Sequence, residues 1–499
     1  MPVTSTVELS GGPGLGARPR GLAGLVAPGL VVGVAGALVG LDRAPLWRDE
    51  AYSLGAVHQL GPTLRSTSGT MALYYAVLRA WTTVSESVWW MRALSVALAT
   101  VALALVVVLA TRLVGPRAAR WAGVLLALSP LWVRYAQEAR SYALVMAMVA
   151  GSWLALDQAL ARTEAGGRAT PWWALHTLLG ALLPLAHGLA VLQLLAQPAA
   201  LLVGRADRRA WRGLLPGTGA AVAVTAGLAA VGASEVGDWV VPLSTDQVRT
   251  LATALTADAP VLAVLLLAVA GVGGAVAAGR VRDAAPGLDR VRAAMPLAWA
   301  VLPPLALVAV SVVRPSLVPR YVAASAPGVA LLLALACPRI EARLRLGLPL
   351  ATAVVVAALL AGQVAFHTTP PAVDWRAAAR TVATRSEPGD ELLLAESAIR
   401  PVFEAAWRDV PEAPALPVAN GARPLGRVLR VDPRLSDEAS WAAAADAPRL
   451  WLVGEVGTAA LAGALAALAT DGRHHRVATW DVEAGVAVHL LALDPGTRP

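Results

Sequence analysis

Two adjacent carboxylates, Asp49 and Glu50, stand in the stretch Leu46-Trp47-Arg48-Asp49-Glu50-Ala51-Tyr52-Ser53. The flanking Trp and Tyr are residues that anchor at a membrane–water boundary. A carboxylate there is partly desolvated, which raises its basicity and suits it to accept a proton. The same pair also reads as a solvated acidic turn. A second stretch, Arg134-Tyr135-Ala136-Gln137-Glu138-Ala139-Arg140-Ser141-Tyr142, places arginines beside an apolar run. Guanidinium groups stay charged and bind phosphate oxygens bidentately, or they snorkel to the interface. Arg314, Arg320 and Tyr321 form another basic turn, open to the same two readings. His187 lies between two apolar runs and reads as a metal ligand, a proton carrier or a hydrogen-bonded interfacial histidine. No second histidine is near it in sequence, so a divalent metal stays open without support from ligand spacing, and no other cofactor is indicated. His474 and His475 read as surface residues.

The elements that hold these groups follow from composition. The chain has 499 residues, 57% hydrophobic and only 15% charged. Soluble domains carry about 25% charged residues, and a single core stops growing near ~250–300 residues. Lipid must therefore solvate much of the surface. The net charge of +8 does not point to nucleic acid. The basic residues, all arginine, are scattered between apolar runs and not gathered on one face. With Cys337 as the only cysteine, an intrachain disulfide and a cysteine-based zinc site are both excluded.

Spanning helices need about 20 apolar residues. Segments near 21–41, 90–112, 120–134, 142–161, 172–186, 188–203, 213–232, 260–279, 294–313, 321–337 and 346–365 give about eleven, of which 120–134 and 172–186 are short. The first run is too long for a typical signal peptide and leads into a charged loop, so it reads as an anchor. Arginines cluster in every second loop, at 112–120, 162–168, 205–212, 280–292 and 339–345. The positive-inside rule then puts the N-terminus in the cytoplasm and the C-terminal end outside. This divides the chain into a cytoplasmic tail 1–20, a membrane domain 21–365 with a first outer loop 42–89, and an extracytoplasmic domain 366–499. In that last part, strand-like runs at 391–395, 427–431, 449–454, 475–482 and 486–492 alternate with Ala-rich helical segments, which reads as a small α/β domain. The expected fold is a polytopic α-helical membrane protein of the plasma membrane with a soluble C-terminal α/β domain.

An outer face offering a carboxylate pair and arginines from distant loops suits a lipid-linked phosphosugar. The carboxylate would deprotonate an acceptor hydroxyl while the arginines stabilise the departing phosphate. A transporter of lipid-linked sugars would place ionisable groups at mid-membrane and show matched halves of broken helices. No matched halves are visible. A non-catalytic role in envelope assembly is the third reading.

In their order and spacing, several motifs resemble the glycosyltransferase family 39-like membrane enzymes of the GT-C fold, relatives of protein O-mannosyltransferases and aminoarabinose transferases. They are Trp47-Arg48-Asp49-Glu50-Ala51, Leu73-Tyr74-Tyr75 with Trp81, and Tyr135 through Tyr142. They continue with His187, Pro319-Arg320-Tyr321, Asp374-Trp375-Arg376 and Pro388-Gly389-Asp390. The resemblance implies inverting transfer of a sugar, mannose or similar, from a polyprenyl-phosphate donor to an envelope glycan, glycolipid or protein on the outer face. It implies Asp49 as catalytic base and Glu50 as an organiser of the acceptor. Arg140, Tyr142, His187, Arg320, Tyr321 and Tyr74 are implied at the donor headgroup. One stretch departs from the family: members often carry an acid or amide just before Leu-Tyr-Tyr, whereas here Ser66-Thr67-Ser68-Gly69-Thr70-Met71-Ala72 has none.

Overall fold

A computed structural model of the chain describes residues 19–231, 240–254, 259–346, 348–370, 373–411, 413–418, 425, 447–482 and 485–494. Helix α1 (Pro19–Leu38) leads into a connection built from three short helices, α2 (Arg48–His58), α3 (Leu60–Ser66) and α4 (Ala72–Trp81). The bundle continues through α5 (Val88–Leu113), α6 (Pro116–Leu128), α7 (Pro130–Ala136), α8 (Tyr142–Glu164), α9 (Thr170–Ala186), α10 (Ala196–Gly204) and α11 (Arg208–Val231). After α12 (Thr245–Thr253) come α13 (Pro260–Asp283), α14 (Leu288–Val313), α15 (Ala326–Arg343) and α16 (Leu350–Thr368).

Among the described residues, eight helices are long and apolar enough to cross a membrane: α1, α5, α8, α11, α13, α14, α16, and α15 with its 3-10 lead-in Pro319–Ser325. The other three expected spans fall on shorter elements. The run at 120–134 is split between α6 and α7, because Pro130 pushes Ser129 out of the helical region to φ −65°, ψ 123°. The run at 172–186 is the 17-residue α9, which stops where His187 turns extended at φ −165°. The run at 188–203 begins as the 3-10 stretch Gly188–Leu195 and only then becomes α10. Periodicity registers an apolar run but not the proline or the extended residue that breaks it.

Without water to drive apolar faces together, membrane helices gain from close backbone approach at small residues. A side-chain carbon on Gly180 of α9 would come within 2.6 Å of the Gly217 carbonyl of α11, and one on Gly328 of α15 within 2.5 Å of the Ala300 amide of α14. Both pairs fix helix contacts that any larger residue would wedge apart.

The C-terminal part contains α17 (Trp375–Ala383), β1 (Glu391–Leu394), α18 (Arg400–Arg408), β2 (Arg449–Glu455), α19 (Ala459–Asp471), β3 (His474–Val482) and β4 (Val486–Leu493). The sheet order is β1-β2-β4-β3, with β1 and β2 parallel and β4 antiparallel to both β2 and β3. Four of the five expected strand runs form these strands; the run at 427–431 lies outside the described residues. His474 corrects its surface reading. It is buried and its Nε2 lies 2.9 Å from the Ala447 carbonyl, while His475 alone is exposed and pairs with Asp494.

One face of the sheet joins the loop helices in a common core. Leu54, Leu78 and Met91 belong to the same apolar cluster as Trp375, Phe403, Trp407 and Trp451. Removing one such buried aromatic costs roughly 3–5 kcal/mol, so apolar burial, and not surface charge, seats this domain on the bundle. The motif residues at 374–376 and 388–390 build the domain itself. Asp374 caps α17, Arg376 donates to the Asp42 carbonyl, and Asp390 accepts from the Trp451 indole at 2.7 Å.

Candidate active site

Helix α2 begins after Pro45 and Leu46, with Trp47, extended at φ −85°, ψ 170°, as its N-cap. Asp49 and Glu50 then occupy the first turn, where the helix dipole favours negative charge. Glu50 reaches back so that the Trp47 amide donates to its Oε2 at 3.2 Å. Its side chain is wholly buried. Arg92 of α5 grips both its oxygens, Nε to Oε1 at 2.9 Å and Nη2 to Oε2 at 2.6 Å, and the Ala139 amide donates to Oε1 at 2.8 Å. Arg92 also donates to the carbonyls of Leu41, Ala44 and Pro45. Glu50 is therefore the anchor that fixes the approach to α2, and its oxygens face protein donors.

Asp49, one residue earlier and about 100° around the helix, points elsewhere. Its side chain keeps 23% exposure, and its Oδ2 lies 3.7 Å from Arg140 Nη2 and 3.5 Å from Arg320 Nη2. Arg140 is locked in place: its Nη1 donates to the Asp49 carbonyl and to Ser53 Oγ, each at 3.1 Å. Burial works against its charge, but Tyr75, Asp49 and other neighbours outweigh this and hold its pKa above the ordinary arginine value. Arg320 enters from the 3-10 lead-in of α15 and lies over the Trp47 ring at 5.6 Å.

Behind the two arginines lies an aromatic wall. The His187 ring is 4.6 Å from that of Tyr321 and 5.8 Å from that of Tyr142. Burial, with Arg140 and Arg320 nearby, pushes His187 down to about 3, so it stays a neutral ring. The five residues Asp49, Arg140, Tyr142, His187 and Arg320 thus converge, with Tyr321 beside them. Tyr74 is fully buried, and burial pushes its phenol up against the opposing pull of Ser95 and Arg140. Arg314, by contrast, lies at the C-cap of α14 in an exposed turn.

Sequence reasoning passed over two residues. Arg92 is a lone cation in the opening turns of a 26-residue apolar helix, a position that by itself demands a buried partner. Glu138 lies between Arg134 and Arg140, and its Oε2 is sealed from solvent with no hydrogen-bond donor among the described residues. Burial, then the charge of Glu50, pushes its carboxyl up to about 8 against the opposing pull of Arg134 and Arg320. A third acid thus lies beside Asp49 and Glu50, although the stretch around Ser68 carries none. That stretch is instead a tight turn, with left-handed Ser68, Gly69 and Met71 leading into α4. Among the described residues, no group of three or more His, Cys, Asp or Glu side chains is placed to hold a metal ion.

No protein-family model matches the sequence, and no curated protein matches it significantly. Solved structures do match. ArnT from Cupriavidus metallidurans in the apo state superposes with a TM-score of 0.61 at 15% identity, covering 94% of this chain and 98% of that one. The same enzyme bound to undecaprenyl phosphate gives 0.59 at 17% identity over 94% and 98%. Archaeal oligosaccharyltransferase AglB from Archaeoglobus fulgidus, in complex with an inhibitory peptide and a dolichol-phosphate, gives 0.53 at 12% identity over 96% and 75%. The eight apolar helices, the helical connection after α1 and the C-terminal sheet are thus the GT-C fold of these membrane glycosyltransferases.

Proposed function

We propose that this protein is an inverting glycosyltransferase. It moves a sugar from a polyprenyl-phosphate donor to a hydroxyl of a cell-envelope acceptor at the outer face of the plasma membrane. The observation that carries the reading is the placement of one partly exposed carboxylate, Asp49, against two arginines drawn from distant parts of the chain. Each arginine reaches Asp49 at Oδ2 without a close contact. The spacings of 3.5 and 3.7 Å exceed the ~2.7–2.9 Å of a charge-assisted hydrogen bond. A phosphate oxygen therefore has room to tighten against the same guanidinium groups.

In the proposed step the acceptor hydroxyl gives its proton to Asp49 as its oxygen attacks the anomeric carbon. The bond from that carbon to the phosphate oxygen breaks, and its electron pair leaves on the phosphate. Arg140 and Arg320 offset the charge that develops there. Glu50 acts by fixing α2, and the neutral His187 with Tyr142 and Tyr321 lines the headgroup site. Solved relatives of the same fold, bound to undecaprenyl phosphate and to a dolichol-phosphate, support a lipid-linked donor.

The test is transfer of radiolabelled sugar in membranes holding wild type or Asp49→Ala, offered a panel of polyprenyl-phosphate sugars with native envelope acceptors. Transfer that vanishes in the variant at equal protein level supports the mechanism and names the donor. Transfer that persists removes Asp49 as base and sinks the mechanism.

A further inference from the structure

The first turn of α2 is gripped from three directions by three consecutive side chains. Glu50 is held by Arg92, and Asp49 faces Arg140 and Arg320. Arg48 turns to the C-terminal domain. Its Nη2 lies 2.5 Å from Glu396 Oε1 and 2.9 Å from Glu455 Oε1. One helical turn on, Tyr52 donates from its hydroxyl to the Ala398 carbonyl at 3.2 Å. Arg48 and Tyr52 are four residues apart and share a face, so one stripe of α2 rests on the soluble domain while the next presents Asp49.

The two glutamates reach the same arginine for a topological reason. Strands β1 and β2 are parallel neighbours, so their C-terminal ends emerge along one edge of the sheet. Glu455 is the last residue of β2, and Glu396 follows β1 by two positions. Carboxylates at that edge meet a single guanidinium.

We infer that Glu396 and Glu455 are positioning residues: through Arg48, the C-terminal domain sets the rotation of α2 that aims Asp49 between Arg140 and Arg320. The inference rests on the reading of Asp49 as base. These ion pairs are not what attaches the domain. The side chains of Arg48, Glu396 and Glu455 are 36%, 25% and 26% exposed, and such pairs contribute little to stability, whereas the shared aromatic core is fully buried. Cutting the clamp should leave the domain seated and loosen α2, still held at Glu50 by Arg92, enough to shift the Asp49 carboxylate. A misplacement near 1 Å at a reacting group costs about 100-fold in rate.

The experiment uses the full-length protein with the donor that wild type accepts. Arg48→Gln and Glu396→Gln/Glu455→Gln are compared with Asp49→Asn, and each is also titrated with undecaprenyl phosphate. The expected result is a kcat lowered by about 10- to 100-fold with lipid Kd within about twofold of wild type. The charge exchange Arg48→Glu/Glu396→Arg should recover most of that kcat, since the relocated arginine again lies between two carboxylates. Wild-type kcat in both clamp variants, with Asp49→Asn inactive, overturns the inference and leaves the catalytic reading standing. Loss of kcat together with lipid binding, with no recovery on charge exchange, also overturns it, because the clamp is then only a staple between domains. Activity retained by Asp49→Asn instead removes the reading on which the inference rests.

Discussion

Helix α8 begins and ends beside an aspartate held by two arginines, and the two arrangements differ in how tightly the acid is closed in. Near its far end Asp157, wholly buried, takes Arg292 Nε on Oδ1 at 2.6 Å and Arg112 directly on Oδ2. Just before its start, Arg140 joins Arg320 around Asp49, at 3.7 and 3.5 Å from Oδ2, with 23% of the side chain open. The composition is the same, but the closeness of the contacts and the exposure of the acid are not. The Asp157 cluster is closed, each oxygen being taken by a direct contact, and it ties α5, α8 and α14 together. The Asp49 cluster is loose enough to admit a fourth group. Closed charge clusters are structural, and open ones keep the capacity to bind and to exchange a proton.

Exchanging each aspartate for asparagine should separate the two roles. Asp49→Asn is expected to lower sugar transfer by about 10²–10⁴-fold with the midpoint of thermal unfolding in detergent unchanged. Asp157→Asn is expected to do the reverse. Removing one partner of a buried ion pair costs roughly 3–5 kcal/mol, read as a lowered unfolding midpoint and yield, while transfer per folded molecule holds. If Asp157→Asn is silent in stability and inactive in transfer, the contrast collapses.

A smaller effect sharpens the comparison on the open side. The Glu138 carboxyl is raised from its ordinary 4.5 to about 8 by burial and by Glu50. A raised folded-state pKa means that its contribution to stability is fully present below about 4.5 and is lost as pH rises to about 8. Glu138→Gln should remove this dependence, flattening the unfolding midpoint between pH 5 and 8 relative to wild type. An identical slope in the variant would show that Glu138 is already ionised across that window.

The sequence made the membrane bundle legible because lipid imposes long apolar runs, and the strands at β1 to β4 because their apolar residues are bounded by turns. It also marked Asp49, Arg140 and Arg320, since charges beside apolar spans need a reason. It could not show that these three meet, because they are brought together by loops whose separation along the chain carries no contact information. Glu50 illustrates the limit. Adjacent to Asp49, it reads from the sequence as an organiser of the acceptor, and only the position of Arg92, forty-two residues on, makes it an anchor. The breaks at Ser129 and His187 were hidden for a different reason, since hydropathy ignores backbone angles.

The short extended entry to α2 imposes a rule on how this chain can vary in length. Residues 48, 49 and 50 address the soluble domain, the open site and Arg92 in turn. An α-helix advances about 100° per residue, so one residue inserted between Trp47 and Arg48 would have to bulge outside the helix or hand every partner the wrong side chain. The aspartate would face Arg92, and the arginine would turn into the open site and leave the two glutamates. Substitution can explore this turn one position at a time, whereas insertion or deletion changes all three contacts together. Length variation should therefore collect elsewhere, with the spacing from the N-cap to Glu50 remaining fixed.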